Sequence, residues 1–169
     1  KKYSEEDPNS ITYVISAKSS YLKESSKVFY PYSFNPDGKI VKNPNGLPYN
    51  FNDFYGKMSF NASNGSKINL FGFNFIDRVN YRMVSDLNWN AYGFGSNFVL
   101  VPALSPLLVE GNFSYSSYDI SLAEADEKPR ASSIKGFNAG LEFSYFSTKD
   151  ELKYGIEVSG FGTDFEFYN

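Results

Sequence analysis

Phe51-Asn52-Asp53-Phe54-Tyr55-Gly56-Lys57-Met58-Ser59-Phe60-Asn61-Ala62, then Ser63-Asn64-Gly65-Ser66, then Lys67-Ile68-Asn69-Leu70-Phe71-Gly72-Phe73-Asn74-Phe75-Ile76: this stretch decides the fold. Two long aromatic-rich runs flank an Asn-Gly turn, the strongest short-range signal for a β-hairpin. In the first run Phe54, Met58 and Phe60 share one face, while Tyr55, Lys57, Ser59 and Asn61 take the other. Working outward, similar runs predict strands over 11–21, 87–101, 107–120, 134–146 and 151–167. No comparable segment has helical spacing. The expected fold is all-β, with about seven antiparallel up-and-down strands in one domain covering residues 1–169.

The joints between these runs alternate. Short ones fall at Ser63–Ser66, at the Pro-bracketed Pro102–Pro106 and at Ser147–Asp150. Long ones are expected from Leu22 to Asn50, Asp77 to Asp86 and Ser121 to Ser133. An up-and-down sheet places alternate joints at opposite ends. Tight turns on one side and long loops on the other is the rhythm of a transmembrane β-barrel wall. The runs are about twice the ~5–6 residues of an ordinary soluble strand, and reach the ~9–11 residues that a tilted strand needs to cross a bilayer.

Composition bounds the chemistry. The chain has 169 residues, a net charge of −3, no cysteine and no histidine, and a pI near 5.0. There is no basic field for nucleic acid, no thiolate metal site and no Ser-His-Asp or Cys-His machinery. Neither an enzyme nor a cofactor or metal protein is expected. No run approaches the ~20 apolar residues of a membrane-spanning helix. The mean hydropathy of −0.39 does not argue against a barrel, whose lipid face uses every second residue. Seventeen Phe and fourteen Tyr suit both strands and membrane interfaces.

Three further runs have two clear faces. In 107–120, Leu107, Val109, Phe113 and Tyr115 oppose Glu110, Asn112, Ser114 and Ser116. In 134–146, Phe137, Ala139, Leu141, Phe143 and Tyr145 oppose Asn138, Gly140, Glu142 and Ser144. The last run sets Leu152, Tyr154, Ile156 and Val158 against Glu151, Lys153, Glu157 and Ser159, then slips phase to Phe161, Phe165 and Phe167. A bulge near Gly160–Gly162 is the expected cause. The run 67–76 is mixed, with Ile68 and Leu70 opposite Phe71, Phe73 and Phe75, and so is 87–101.

In a barrel with a wet interior the apolar rows face lipid: Met58, Phe60, Val109, Phe113, Leu141, Phe143, Ile156 and Val158. Lys57, Glu110, Glu142 and Glu157 would line the lumen. Tyr115 and Tyr145, at row ends, would sit at the membrane–water boundary. A soluble β-sandwich binding carbohydrate, and an outer-membrane barrel with a structural or adhesive role, remain alternatives. Seven strands are odd in number and leave two edges, so the chain is expected to be one part of a larger barrel.

The chain resembles the barrel of a TonB-dependent outer-membrane transporter. The likeness lies in Ser16-Ala17-Lys18-Ser19-Ser20-Tyr21-Leu22, in Gly46-Leu47-Pro48-Tyr49-Asn50-Phe51-Asn52-Asp53-Phe54, in Lys67-Ile68-Asn69-Leu70-Phe71-Gly72-Phe73, and in the pair Leu87-Asn88-Trp89-Asn90 and Asn112-Phe113-Ser114-Tyr115-Ser116-Ser117-Tyr118. It implies energised nutrient uptake across a Gram-negative-type outer membrane. The partners implied are membrane lipid, the remainder of the barrel and its plug, TonB acting through an N-terminal part, and a surface lipoprotein. No TonB box or plug domain is present in the sequence. Tyr30, Tyr32 and Phe34, in the first long loop, are the ligand-contact candidates. Asp119, Glu124, Asp126 and Glu127 lack the order of a calcium loop and are expected to be solvated.

Overall fold

The computed structural model describes residues 9–35, 37–42, 45–81, 84–124 and 128–167. In chain order the elements are β1 (Ser10–Ser19), α1 (Leu22–Phe29), β2 (Tyr32–Phe34), β3 (Ile40–Lys42), β4 (Tyr49–Asn61), β5 (Lys67–Tyr81), β6 (Ser85–Leu100), β7 (Leu107–Glu124), β8 (Arg130–Phe146) and β9 (Glu151–Glu166). Seven strands form one sheet in the order β1-β4-β5-β6-β7-β8-β9, all antiparallel. The other two make a small hairpin. Each long strand pairs with the next in the chain, except that α1, β2 and β3 intervene between β1 and β4. This is the all-β, up-and-down arrangement that the sequence predicts.

Turn chemistry fixes the hairpins at one end. After β4, the Ala62 N–H donates to Ser66 O at 2.8 Å, and Gly65 takes a φ of +88° that favours glycine. The Asn64 side chain donates to Val101 O at 2.9 Å, and Ser66 Oγ accepts from the Val101 N–H at 2.9 Å. Adjacent turns are thus tied to each other at this tight-turn end.

The opposite end departs from expectation. β5 runs to Tyr81 and β6 starts at Ser85; β7 runs to Glu124 and β8 starts at Arg130. Only the first of the three expected long connections is long. Asp77, Arg78, Asn80 and Asp86 read as loop residues, yet they stand in ladder positions. A strand wetted on one face accepts polar side chains there, so polarity alone does not end it.

The bulge near Gly160–Gly162 is also absent. The β8–β9 register is unbroken from Ala131↔Glu166 to Phe146↔Glu151. Phe161 and Phe165 lie on the opposite face from Ile156 and Val158 because the apolar surface itself changes face.

α1 was not foreseen in the sequence. The Ser20 hydroxyl accepts from the Leu22 N–H at 3.2 Å, and Glu24 and Lys27 pair at 2.7 Å one turn apart. That hydrogen bond from Lys27 holds the Glu24 carboxyl below its ordinary pKa. Ser26 is buried; its hydroxyl donates to Lys23 O at 3.0 Å and accepts from the Leu47 N–H at 2.6 Å. The return to β4 passes so close that a Cβ on Gly46 would lie 2.0 Å from Lys23 O.

The sheet is one layer thick. Among the described residues no large apolar side chain is buried, whereas Ser59, Asn69, Ser117 and Ser144 are. Among the described residues the second large sheet that a sandwich needs is not formed, and neither outer edge, of β1 or of β9, pairs with another strand. Among the described residues no helix is long and apolar enough to cross a membrane.

Gly46 sits at φ +70°, where a side chain costs about 1–2 kcal/mol before any clash. Gly46→Ala should therefore release the α1 excursion from the sheet. Trypsin cleavage at Lys39 and Lys42 should accelerate while the unfolding midpoint of the sheet stays put. Unchanged cleavage would mean that the Lys23–Gly46 contact does not hold the excursion.

Candidate functional site

Directly opposed residues of an antiparallel ladder share a face, and the unbroken registers carry that parity across the whole sheet. One face runs Tyr13, Met58, Leu70, Ser96, Phe113, Ala139, Val158; the next row up the strands toward the tight turns runs Ile11, Phe60, Ile68, Phe98, Gly111, Leu141, Ile156. This is the Leu141 face. The other, the Glu142 face, carries Lys57, Asn69, Glu110, Asn112, Glu142 and Glu157. Met58, Phe60, Val109, Phe113, Leu141, Phe143, Ile156 and Val158 therefore stand together on one side, and Lys57, Glu110, Glu142 and Glu157 together on the other.

The polarity of both faces exchanges partway along the strands. On the Leu141 face the apolar rows occupy the half nearer the tight turns. In β8 they run from Tyr145 to Phe137, and Lys135 and Ser133 follow. In β7, Leu107 to Tyr115 gives way to Ser117, Asp119 and Ser121. In β6, Phe98, Phe94 and Tyr92 give way to Asn90 and Asn88, with Ser96 the one polar residue that this strand places in the band. Tyr92 and Tyr115 close the band, their ring centroids 6.2 Å apart, and Phe94 lies 5.7 Å from Tyr115. At the other margin Tyr154 stacks on Phe143 at 5.2 Å. From Tyr145 to Phe137 the band measures roughly 26 Å along the strand, or roughly 20 Å in height at the ~40° tilt of a barrel strand.

The Glu142 face is the complement. Near the tight turns it is polar and hydrogen-bonded across strands. Ser59 Oγ donates to Asn69 Oδ1 at 2.6 Å, and Asn69 Nδ2 donates to Asn97 Oδ1 at 2.6 Å. Asn138 Nδ2 donates to Glu157 Oε1 at 2.7 Å. Glu110 and Glu142 are directly opposed, a like-charge pair relieved by Lys153, whose Nζ is 3.7 Å from Glu142 and 3.5 Å from Glu151. A concavity of about 630 Å³ lies over this acidic patch, lined by Asn97, Glu110, Asn112, Glu142 and Glu157 among others. Farther from the tight turns the same face turns aromatic, with Phe51, Phe73, Phe75, Trp89, Tyr118, Phe161 and Phe165. The mixed runs 67–76 and 87–101 are explained: Ile68 and Leu70 belong to the band on one face, and Phe73, Phe75 and Trp89 to the aromatic region on the other.

Two sets of loop residues were singled out from sequence. Tyr30 follows α1, and Tyr32 and Phe34 lie on β2 opposite Lys42 and Ile40. All three are exposed, at 63%, 65% and 74%, and so form no core of their own. Asp119 lies on the Leu141 face with Ser117 as its donor at 3.1 Å, whereas Glu124 lies on the other face and pairs with Arg130. The two acids thus do not converge; Asp126 and Glu127 lie outside the described residues.

Compared with family models, with curated proteins and with solved structures, the chain matches none.

The buried Asn69 amide is the link on which the polar chain depends. Asn69→Ala should cost about 1–3 kcal/mol, because it strands the Ser59 hydroxyl and the Asn97 carbonyl oxygen. Asn112→Ala, on the same face but exposed, should cost little. Equal shifts in the urea midpoint for the two variants would mean that the Ser59–Asn69–Asn97 chain adds nothing to the sheet.

Proposed function

We propose that this chain is part of the wall of an outer-membrane β-barrel of the TonB-dependent receptor class, serving energised nutrient uptake. The observation that carries the reading is the apolar band. A sheet with a single apolar face would favour a second protein layer as much as a membrane. Here the apolar surface stops at about bilayer height, is bounded by tyrosines, and passes into water-seeking side chains on the same strands. Barrel walls have such a band, ~25 Å tall, between aromatic girdles. Tyrosine suits the boundary because its ring prefers the acyl margin and its hydroxyl prefers water.

In this reading the Leu141 face meets lipid over the band, and the Glu142 face lines the interior. The strand ends beyond Tyr92 and Tyr115 project into the external medium, with the α1 excursion above them. The open edges of β1 and β9 pair with further strands of the same barrel, since unpaired backbone groups in lipid cost several kcal/mol each. The uptake role and its partners, a plug, TonB and a surface lipoprotein, rest on the four stretches of resemblance. Binding and passage, rather than bond-making chemistry, are what exposed carboxylates on an open wall support.

The reading is tested on the full protein reconstituted in liposomes. Probes at 141 and 113 should be quenched by brominated acyl chains, and probes at 138 and 135 should not. Leu141→Arg should cost ~2–4 kcal/mol if it sits near the bilayer midplane, and Lys135→Leu, above the band, should cost almost nothing. Quenching at 135 equal to that at 141 would refute the band, and quenching at neither would refute the membrane.

A further inference from the structure

Asp77 stands in unusual company. Its directly opposed neighbours are Phe51 in β4 and Trp89 in β6, and its same-face neighbours along β5 are Phe75 and Val79. A carboxylate is thus ringed on all four sides by apolar side chains, three of them aromatic. Asp77 is exposed, and among the described residues it makes no hydrogen bond or ion pair. Asp53, on the same face, differs: it directly opposes Lys18. No cation directly opposes Asp77 in the ladder; Arg78 lines the rim of the same concavity and Lys18 the adjoining one.

The surroundings form a groove. A concavity of about 550 Å³ is lined by Tyr49, Phe51, Phe75, Asp77, Trp89 and Tyr118 among others. A second, of about 590 Å³, shares Phe51, Phe75 and Asp77 with it and extends toward Asp53. Both volumes fall in the range of small-molecule sites, which combine apolar walls with a few placed polar groups. Aromatic faces attract cations through their negative quadrupole, Trp most strongly. A carboxylate with no ion-pair partner among such rings adds charge complementarity. A neutral ligand would gain from the rings but leave the carboxylate without a partner for its charge.

We propose that this groove, centred on Asp77 and Trp89, is a binding site for an organic ammonium ion. The cationic head lies over the Trp89 and Phe75 rings with Asp77 as its counter-ion, and its alkyl or aryl remainder lies along Phe51 and Tyr118. The site needs only the face of the sheet, so it holds whether the opposite face meets lipid or protein.

The test uses the intact full-length protein and two probes of nearly equal shape, choline and 3,3-dimethylbutan-1-ol, which lacks the charge. Trp89 is the only tryptophan of this chain, and the emission removed by Trp89→Phe isolates its signal. Choline at millimolar concentration should shift that emission saturably, and the neutral alcohol should not. Asp77→Asn, nearly isosteric and on an exposed position, should weaken choline by about tenfold or more. Asp53→Asn, at a position that opposes Lys18 in the ladder and does not neighbour Trp89, should leave it within about twofold. Equal binding of the two probes would overturn the cation site in favour of a neutral ligand. No binding of choline, or binding that is indifferent to Asp77→Asn, would overturn it outright. Lipid quenching at 141 is read separately, so failure here leaves the membrane reading standing, and the reverse also holds.

Discussion

Backbone hydrogen bonding between neighbouring strands does in this protein what a hydrophobic core does in most. Six antiparallel ladders run without a bulge from β1 to β9, and among the described residues no large apolar side chain is buried. The unbroken register has a second effect. Because side chains alternate with period two, a one-residue slip anywhere would send every residue beyond it to the wrong face. The continuity of Met58, Leu70, Phe113 and Val158 across five junctions depends on there being no such slip. Close packing of rings over glycine supports it: a Cβ at Gly111 would fall 2.3 Å from the Phe98 ring, and one at Gly93 would fall 2.8 Å from Phe73.

Much of this was legible in the residues. Alternation in the runs 51–62, 107–120, 134–146 and 151–158 assigned eight apolar and four charged residues to opposite faces, and the registers keep both groups together. Alternation fails where a strand is read as having one polarity throughout. Phe161 and Phe165 looked out of phase and invited a bulge, yet the backbone is regular and the environment changes instead. Ile68 and Leu70 against Phe73 and Phe75 carried the same message in a single strand. The strand ends were missed for a related reason. Asp77, Arg78 and Asp86 resemble loop residues when polarity is taken to mean the end of a strand. α1 escaped because eight residues offer little periodicity; the signals present were Ser20 before Leu22 and the Glu24–Lys27 spacing.

The exchange of faces also organises the candidate site. Near the tight turns the Glu142 face carries serines, asparagines and carboxylates, several of them hydrogen-bonded across strands. Nearer the other end it carries rings, with the carboxylates of Asp53 and Asp77 among them. The ligand candidates read from the first loop, Tyr30, Tyr32 and Phe34, are exposed and lie on the excursion that returns to the sheet at Tyr49. The wall aromatics Phe75, Trp89 and Tyr118 were not singled out as a site in sequence: Phe75 and Trp89 fell within runs whose two faces looked mixed, and Tyr118 lies on the face of its run that reads as polar. Pairing register, which one strand alone does not reveal, brings them beside Phe51 and Asp77.

The α1 excursion has a consequence for how the sheet is assembled. From β4 to β9 each strand reaches its neighbour across a connection of a few residues, so pairing can proceed hairpin by hairpin. β1 must wait for residues 20–48 to close on themselves before it meets β4. Loop entropy grows only with the logarithm of length, so the added cost is modest, about 1.5 kcal/mol relative to a tight turn. It falls, however, on the shortest strand of the main sheet, ten residues against as many as eighteen elsewhere. The seam between β1 and β4 therefore gains the least from pairing and loses the most to closure, which makes the first strand in the chain the last to find its place.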